Sequence, residues 1–493
     1  MHCVSRVVAL SLLSLASVAV PARGDALSDD LRARRARLIE ALGPDTLFLQ
    51  HSAPPQVYSR DVDHRYRQDS DLLYLTGIDQ EGTSLVLMPG NKASKAILFV
   101  ADPNPRREHW NGHLLTKDEA KARSGVDEVR LASELDAFLA GVFNRQPPFV
   151  RWTEYDGEYE AFFDAVAAGR ARIALVFGRR PGPAEELTAA LQEAERLRQR
   201  MPNTTLVDAT PIVWGLRQVK TAIERRALQR CADVSGDAHR AAMRATRPGL
   251  YEYQVQGALE QVYLDQGATS AGYPSIVGSG PNATILHYDR STRQMKDGEL
   301  LLIDAAAFVD GATADITRTW PVNGRFTPAQ AELYRVVLAA QEAGMKAAVP
   351  GARTVDVERA VEESVKGGLQ RLGLVADPAS KQHRTWYTHG ICHWIGLDVH
   401  DVGDYRRPLA PGMAFTIEPG VYVRVAALAD LEDTPENRAF REKVSPALAR
   451  YKDIGVRVED SFLLTEQGLV RLSARVPRTI EEIEGFMAGR TTD

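Results

Sequence analysis

A unit that occurs twice constrains this chain more than any other feature. From residue 220 a helix with a mixed-charge face runs to 247 and stops at Pro248-Gly249, and a second helix over 252–265 stops at Gly267. The arrangement then returns: Thr327 stands as N-cap before Pro328, a helix runs to 349 and stops at Pro350-Gly351, and another covers 355–372. Pro350 lies 102 residues after Pro248. Each helix pair is followed by paired strand-like segments, 300–308 with 313–320 around an Asp310-Gly311 turn, and 414–425 with 455–464. Shorter runs at 275–278 and 285–288 read as strands ahead of the first pair. A polar, helix-prone insertion over 426–452 splits the second pair and reads as surface decoration. The expectation is an α+β domain with an internal pseudo-two-fold duplication over 206–493.

The preceding residues have a different texture. A charged amphipathic helix over 30–42, short β-rich runs at 84–88 and 96–100 around Asn91-Lys92, an apolar strand within 170–178 and a Glu/Arg-rich helix over 185–200 predict an α/β domain over 27–205. The linker is expected within 201–215. Residues 1–26 have the layout of a secretory signal peptide, with Arg6 ahead of an apolar run over 7–20 and small residues at Ala22, Gly24 and Ala26. Export to a periplasm or the exterior is the expectation. The apolar run falls short of the roughly 20 residues a membrane span needs, so no stable membrane anchor is expected. Cys231 and Cys392 are the cysteines beyond the leader, too few for a disulfide framework, and Cys392 reads as a small side chain packed in a strand. With 60 basic against 65 acidic residues and a net charge of −5, a protein built to hold nucleic-acid phosphates is not expected.

Chemistry concentrates on acids in apolar surroundings. Asp304 interrupts LLIDAAAF, and Asp315 lies across the short turn, near enough to opposite for both carboxylates to share one face. Glu418 in FTIEPGVY and Glu459 in VRVEDSF repeat the pattern in the second copy. Four such acids repel one another unless a cation lies among them. The segment HGICHWIGLDVHDVG adds His389, His393 and His400, in a setting that is neither helical nor H-E-x-x-H. Carboxylates with an imidazole and no thiolate suit Mn²⁺, Zn²⁺ or Co²⁺ and argue against a structural zinc site. An even carboxylate set suits two ions about 3.5–4 Å apart with an activated water between them, which is hydrolytic machinery. Walker A, G-x-S-x-G and G-x-G-x-x-G motifs are all missing.

Five spaced segments, YRQDSDLLYLTG, YPSIVGSGPNATILHYDR, DAAAFVDGATADITRTWPVNGRFTPAQ, HGICHWIGLDVHDVG and TIEPGVYV with GVRVEDSFLLTEQG, together resemble the aminopeptidase P and prolidase family of pita-bread metallopeptidases. The resemblance implies a pita-bread catalytic domain and a dinuclear centre ligated by Asp304, Asp315, His393, Glu418 and Glu459. Asp315 and Glu459 would bridge the ions, and Glu418 would double as general base. It implies substrate contact for His287 and His400, support from His389, Tyr422 and Arg457, and a hold on the substrate's free amine for Asp61. Two divalent ions are implied, manganese first, with zinc or cobalt as alternatives. The implied reaction removes an N-terminal residue from peptides with proline in second position, in a homo-oligomer, dimer or tetramer, where Trp110 matches a tryptophan lent to a neighbouring pocket. A prolidase limited to Xaa-Pro dipeptides and a catalytically silent peptide-binding relative are the rival readings.

Overall fold

The computed structural model describes residues 23–144 and 157–489. The expected leader thus lies outside the described residues up to position 22, and its last four positions open the first helix, α1 (Arg23–Leu42). Leu31, Leu38 and Leu42 form the buried stripe of α1. The N-terminal domain continues through β1 (Thr46–His51), the hairpin β2 (Val57–Ser59) and β3 (Val62–Asp63), α2 (Ser70–Thr76), β4 (Ser84–Leu87), β5 (Ala96–Val100), α3 (Pro105–Asn111), α4 (Lys117–Ser124), β6 (Glu128–Leu131) and α5 (Leu135–Asn144). It ends with α6 (Glu160–Ala167), β7 (Arg172–Leu175), α7 (Ala189–Arg200), β8 (Thr205–Asp208) and α8 (Thr210–Gln218).

Six of these strands form one mixed sheet in the order β6-β5-β4-β1-β7-β8. Helices cover both faces, so its strands are apolar on both sides, and alternate residues of β1 enter different cores. Leu47 and Leu49 join one cluster with Val86, Ile97 and Phe99, while Phe48 joins the other with Leu85, Leu87 and Leu98.

Two expectations change here. The stretch expected as a linker holds β8, which pairs in parallel with β7, and α8. A strand of four residues with a single apolar pair carries too little pattern to be recognised in the sequence. The helix expected from 185 starts at Ala189, because Glu185 is held in the preceding loop by the Gly182 amide and Arg179, and Thr188 supplies the cap.

The duplicated unit follows as α9 (Ala222–Ala245), α10 (Glu252–Asp265), β9 (Ser270–Ala271), β10 (Ile276–Ser279), β11 (Leu300–Asp304), β12 (Ala307–Val309), β13 (Ala312–Thr313) and β14 (Thr317–Pro321). The second copy has α11 (Pro328–Ala347), α12 (Thr354–Arg371), β15 (Ala414–Ile417), β16 (Gly420–Val423), α13 (Val425–Ala429), α14 (Pro435–Tyr451), β17 (Ile454–Arg457), β18 (Asp460–Thr465), β19 (Gly468–Arg471) and the closing α15 (Ile480–Met487). Capping boxes at Thr221 with Glu224 and at Thr327 with Gln330 start the long helix of each copy. The insertion is helical, and α14 reaches α11 through Arg450 and Tyr451, which both meet Glu332.

Neither long hairpin is continuous. In the first copy β11 pairs with β14, while β12 and β13 form a separate ladder closed by a tight turn with positive φ at Asp310 and Gly311. The second copy divides the same way, β15 with β18 and β16 with β17. Asp304 is the last residue of its ladder, and Asp315, Glu418 and Glu459 occupy the breaks themselves. Asp304 and Asp315 are therefore not directly opposed: Thr317 is the register partner of Asp304. The run at 285–288, expected as a strand, is a loop after a short 3₁₀ turn (Gly280–Thr284). Cys392 is buried in an irregular segment rather than in a strand. Among the described residues no helix is long and apolar enough to cross a membrane.

Candidate metal centre

The breaks in the two hairpins face one another, and their acids converge. Oxygen and nitrogen donors of Asp304, Asp315 and Glu459, of His393, Glu418 and Glu459, and of Asp315, His393 and His400 form three overlapping groups, each with donor atoms within 4.8 Å of one another. All five residues expected as ligands are in this set, drawn from both copies. Asp304, Asp315 and Glu459 are buried, and Glu418 and His393 are partly so.

His393 shows what the cluster is prepared for. Its Nδ1 lies 3.2 Å from the Trp394 carbonyl, which can only accept, so Nδ1 is the donor there and Nε2 is the ring atom turned to the acids. Nε2 faces Asp315 Oδ2 and Glu418 Oε1, each at 3.3 Å, and Glu459 Oε1 at 3.8 Å. The Oε1 atom of Glu459 is buried without a hydrogen-bond partner. A buried carboxylate oxygen left without a partner is costly unless a cation meets it. Burial first, and then the charge of Asp304 on Asp315, of Glu459 on Glu418, and of Asp315 and Asp304 on Glu459, pushes all three carboxyls well above their usual range. Four carboxylates stand against one guanidinium, that of Arg457, a negative excess that two divalent ions more than offset. The residues present therefore fit such ions.

Arg457 organises the walls. It donates Nη2 to Asp304 Oδ2, Nη1 to the Tyr422 hydroxyl at 2.9 Å and Nε to Thr317 Oγ1 at 2.9 Å. Thr317 passes its own hydroxyl proton to Glu459 Oε2 at 2.6 Å. Burial opposes charge on Asp304, but the Arg457 charge together with the hydrogen bonds from Tyr273 and Arg457 outweighs it and holds this carboxyl below its usual range. The Tyr422 hydroxyl in turn donates to His389 Nε2 at 2.8 Å, and His389 Nδ1 donates to the Gly390 carbonyl at 2.6 Å. Burial and then the nearby Arg457 charge lower the His389 pKa to about 4, so this ring stays neutral and acts as a fixed acceptor. On the opposite wall the Tyr273 hydroxyl lies 2.7 Å from Asp304 and 2.6 Å from Asp315, holding the two aspartates together.

His287 and His400 are the exposed imidazoles of the site. His400 meets His393 edge-on with ring centroids 4.4 Å apart, and burial above all lowers its pKa. His287 stands in the loop after the 3₁₀ turn, near both His389 and His400.

Ten of the eleven expected site residues thus gather in one place. Asp61 does not: it lies at the exposed turn between β2 and β3 and makes no hydrogen bond or ion pair among the described residues. Trp110 is 77% exposed on α3. Tyr273 and Thr317 escaped the sequence reading. Thr317 follows Asp315 by two positions, which was a usable signal, whereas nothing local distinguishes Tyr273.

Residues 226–466 match the model of metallopeptidase family M24, and residues 31–150 match the aminopeptidase P N-terminal domain. The chain is 34% identical to the Xaa-Pro aminopeptidase of Escherichia coli over 468 residues, covering 93% of this chain and 97% of that protein. The structure of the Pseudomonas aeruginosa aminopeptidase PepP superposes with a TM-score of 0.78 at 32% identity, covering 94% of this chain and 99% of that one. A zinc-substituted E. coli aminopeptidase P in complex with product superposes with a TM-score of 0.77 at 32% identity, covering 94% and 99%. The expected fold, a pita-bread domain behind an α/β N-terminal domain, agrees with these neighbours.

Proposed function

The chain belongs to metallopeptidase family M24, and we propose that it is a Xaa-Pro aminopeptidase, hydrolysing the bond between an N-terminal residue and a following proline. As a metallopeptidase it uses divalent metal. The observation that carries the reading is the convergence of the five expected ligands in overlapping donor groups, one of whose members, Glu459, has a buried oxygen without a hydrogen-bond partner. It is supported by the full-length similarity to relatives named for this activity.

Asp304, Asp315, His393, Glu418 and Glu459 would hold two divalent ions, Mn²⁺ by preference. Once bound, the ions would polarise the scissile carbonyl and acidify a water shared between them. The rest falls to side chains. Glu418, partly exposed at the rim of the cluster, takes the proton of the attacking water and returns it to the leaving nitrogen. His287 and His400 offer N–H groups to the oxygen on which charge develops. Arg457 holds Asp304 and Tyr422 in place, and through Thr317 it holds Glu459.

Removal of the leader during export, and a homo-oligomer that brings Trp110 to a neighbouring pocket, complete the proposal. N-terminal sequencing of secreted protein and its mass in solution test these two points. Substrate length tests the function itself. With Mn²⁺ restored, an Xaa-Pro-Yaa tripeptide should release its first residue at least as fast as the Xaa-Pro dipeptide is split. Cleavage of the dipeptide alone would make the protein a prolidase, and no cleavage of either would leave a peptide-binding relative.

A further inference from the structure

Outside the metal centre, the densest set of buried charges joins the two domains. Arg217, near the end of α8, is almost wholly buried and reaches three acids: Asp71 of α2 at 2.7 Å, Asp398 at 2.8 Å, and Asp401. Lys220 binds Asp401 from the other side at 2.6 Å. Two further groups of the N-terminal domain grip the same loop. Ser70 donates to Asp398 Oδ1 at 2.9 Å, and Arg67 donates to the Leu397 carbonyl at 2.9 Å while pairing with Asp398 at 3.2 Å. Arg67, Arg217 and Lys220 balance Asp71, Asp398 and Asp401, so the set is neutral. Gly396 leaves room for it, because a side chain there would overlap both the Asp401 carboxylate and the Lys220 amine.

His400 lies between the two gripped acids, next to Asp401. We propose that the N-terminal domain is a positioning part of the active site: α2, through Arg217, Asp398 and Asp401, fixes the loop that presents His400 to the substrate. This rests on the substrate-contacting role given to His400 above. The physical reason is that His400 is exposed and, among the described residues, makes no hydrogen bond and meets His393 edge-on, so its own surroundings hold it weakly. The restraint comes from its neighbours in sequence, whose carboxylates are tied across the domain boundary by charge-assisted bonds. α2 is itself a rigid support, capped by Asp69 and closed by Gly77 at φ 66°. The N-terminal domain would then act in the reaction without touching the metal ions.

A double-mutant cycle tests this. Asp71→Asn keeps the shape of the side chain and removes its charge. It should lower kcat by about tenfold, the scale of a sub-ångström misplacement, with KM shifted less than about twofold and metal content unchanged. Ser70→Ala, a milder cut in the same clamp that tolerates any folding defect of the first variant, should lower kcat about twofold. In a His400→Ala background both penalties should all but vanish, because the group they position is gone. Penalties that multiply undiminished with that of His400→Ala would overturn the clamp while leaving His400 its role. A fully active His400→Ala enzyme would remove the role of His400, and the clamp with it.

Discussion

The two halves of the duplicated domain reach one metal centre by different means. The first contributes aspartates, Asp304 and Asp315, from a hairpin closed by a two-residue turn, and holds them together with the Tyr273 hydroxyl. The second contributes glutamates, Glu418 and Glu459, from a hairpin whose connection is two helices long. Of these, Glu459 is held by the Thr317 hydroxyl of the first half, which Arg457 of the second half holds in turn. Both halves break the ladder at the acid, because a carboxylate paired within a ladder would be committed to one face of one sheet, whereas a break turns it toward the seam. The break is what the duplication preserves. Turn length and acid type are free to vary around it.

The helices behind the hairpins differ as well. His239 of α9 and Gln341 of α11 are separated by the same spacing as Pro248 and Pro350, and both are fully buried polar side chains behind the acid-bearing strands. Gln341 donates to the Ile417 and Val458 carbonyls and to Asp460. His239 meets the Ser235 carbonyl through Nδ1, and its Nε2 has no partner. One half is therefore indifferent to acid where the other is not.

The largest expected effect falls on the shared seam. Glu418→Ala should lower kcat by at least about 10³-fold, since on the proposed mechanism it removes both a ligand and the general base. A loss of less than tenfold in a peptide assay would break the equivalence of the two glutamates with the two aspartates. Next comes Arg457→Lys, which keeps the charge and loses the planar fork. It should cost about 10²-fold in kcat, by letting Asp304, Thr317 and Tyr422 drift.

The contrast between His239 and Gln341 is read by stability against pH. Burial, the dominant cause, lowers the His239 pKa from 6.5 to about 4, so the unfolded chain takes up this proton first as pH falls. The contribution is complete above about pH 6.5 and is lost as pH drops towards 4. Urea denaturation should show about 2 kcal/mol less stability at pH 5 than at pH 7 from this group, and His239→Asn should flatten that part of the slope. An unchanged slope would place the acid sensitivity elsewhere. The smallest effect belongs to the tight turn of the first half. Gly311→Ala, at φ 76°, should cost about 1 kcal/mol in thermal unfolding, with kcat unmoved.

The sequence exposed these acids because each interrupts an apolar run, and the duplication because Pro-Gly stops punctuate it. What it hid was partnership over distance. Tyr273 and Thr317 are ordinary residues until the chain brings Asp304 and Glu459 to them. The ladders looked continuous because a two-residue break leaves the apolar pattern nearly intact. β8 passed for a linker because four residues carry too little periodicity. The roles of Asp71, Arg217 and Asp401 were not legible, since ion pairing across 184 residues between Arg217 and Asp401 leaves no local trace.

The central claim is that donors from both halves make one two-ion centre. The most direct measurement is metal content per chain, alongside peptidase activity, as Mn²⁺ is returned to chelated wild-type protein and to Glu459→Gln. The account expects activity to follow metal to two equivalents in the wild type, and the variant to lose both tight binding and activity. Full activity in the chelated protein, or two retained ions with undiminished activity in Glu459→Gln, would contradict it.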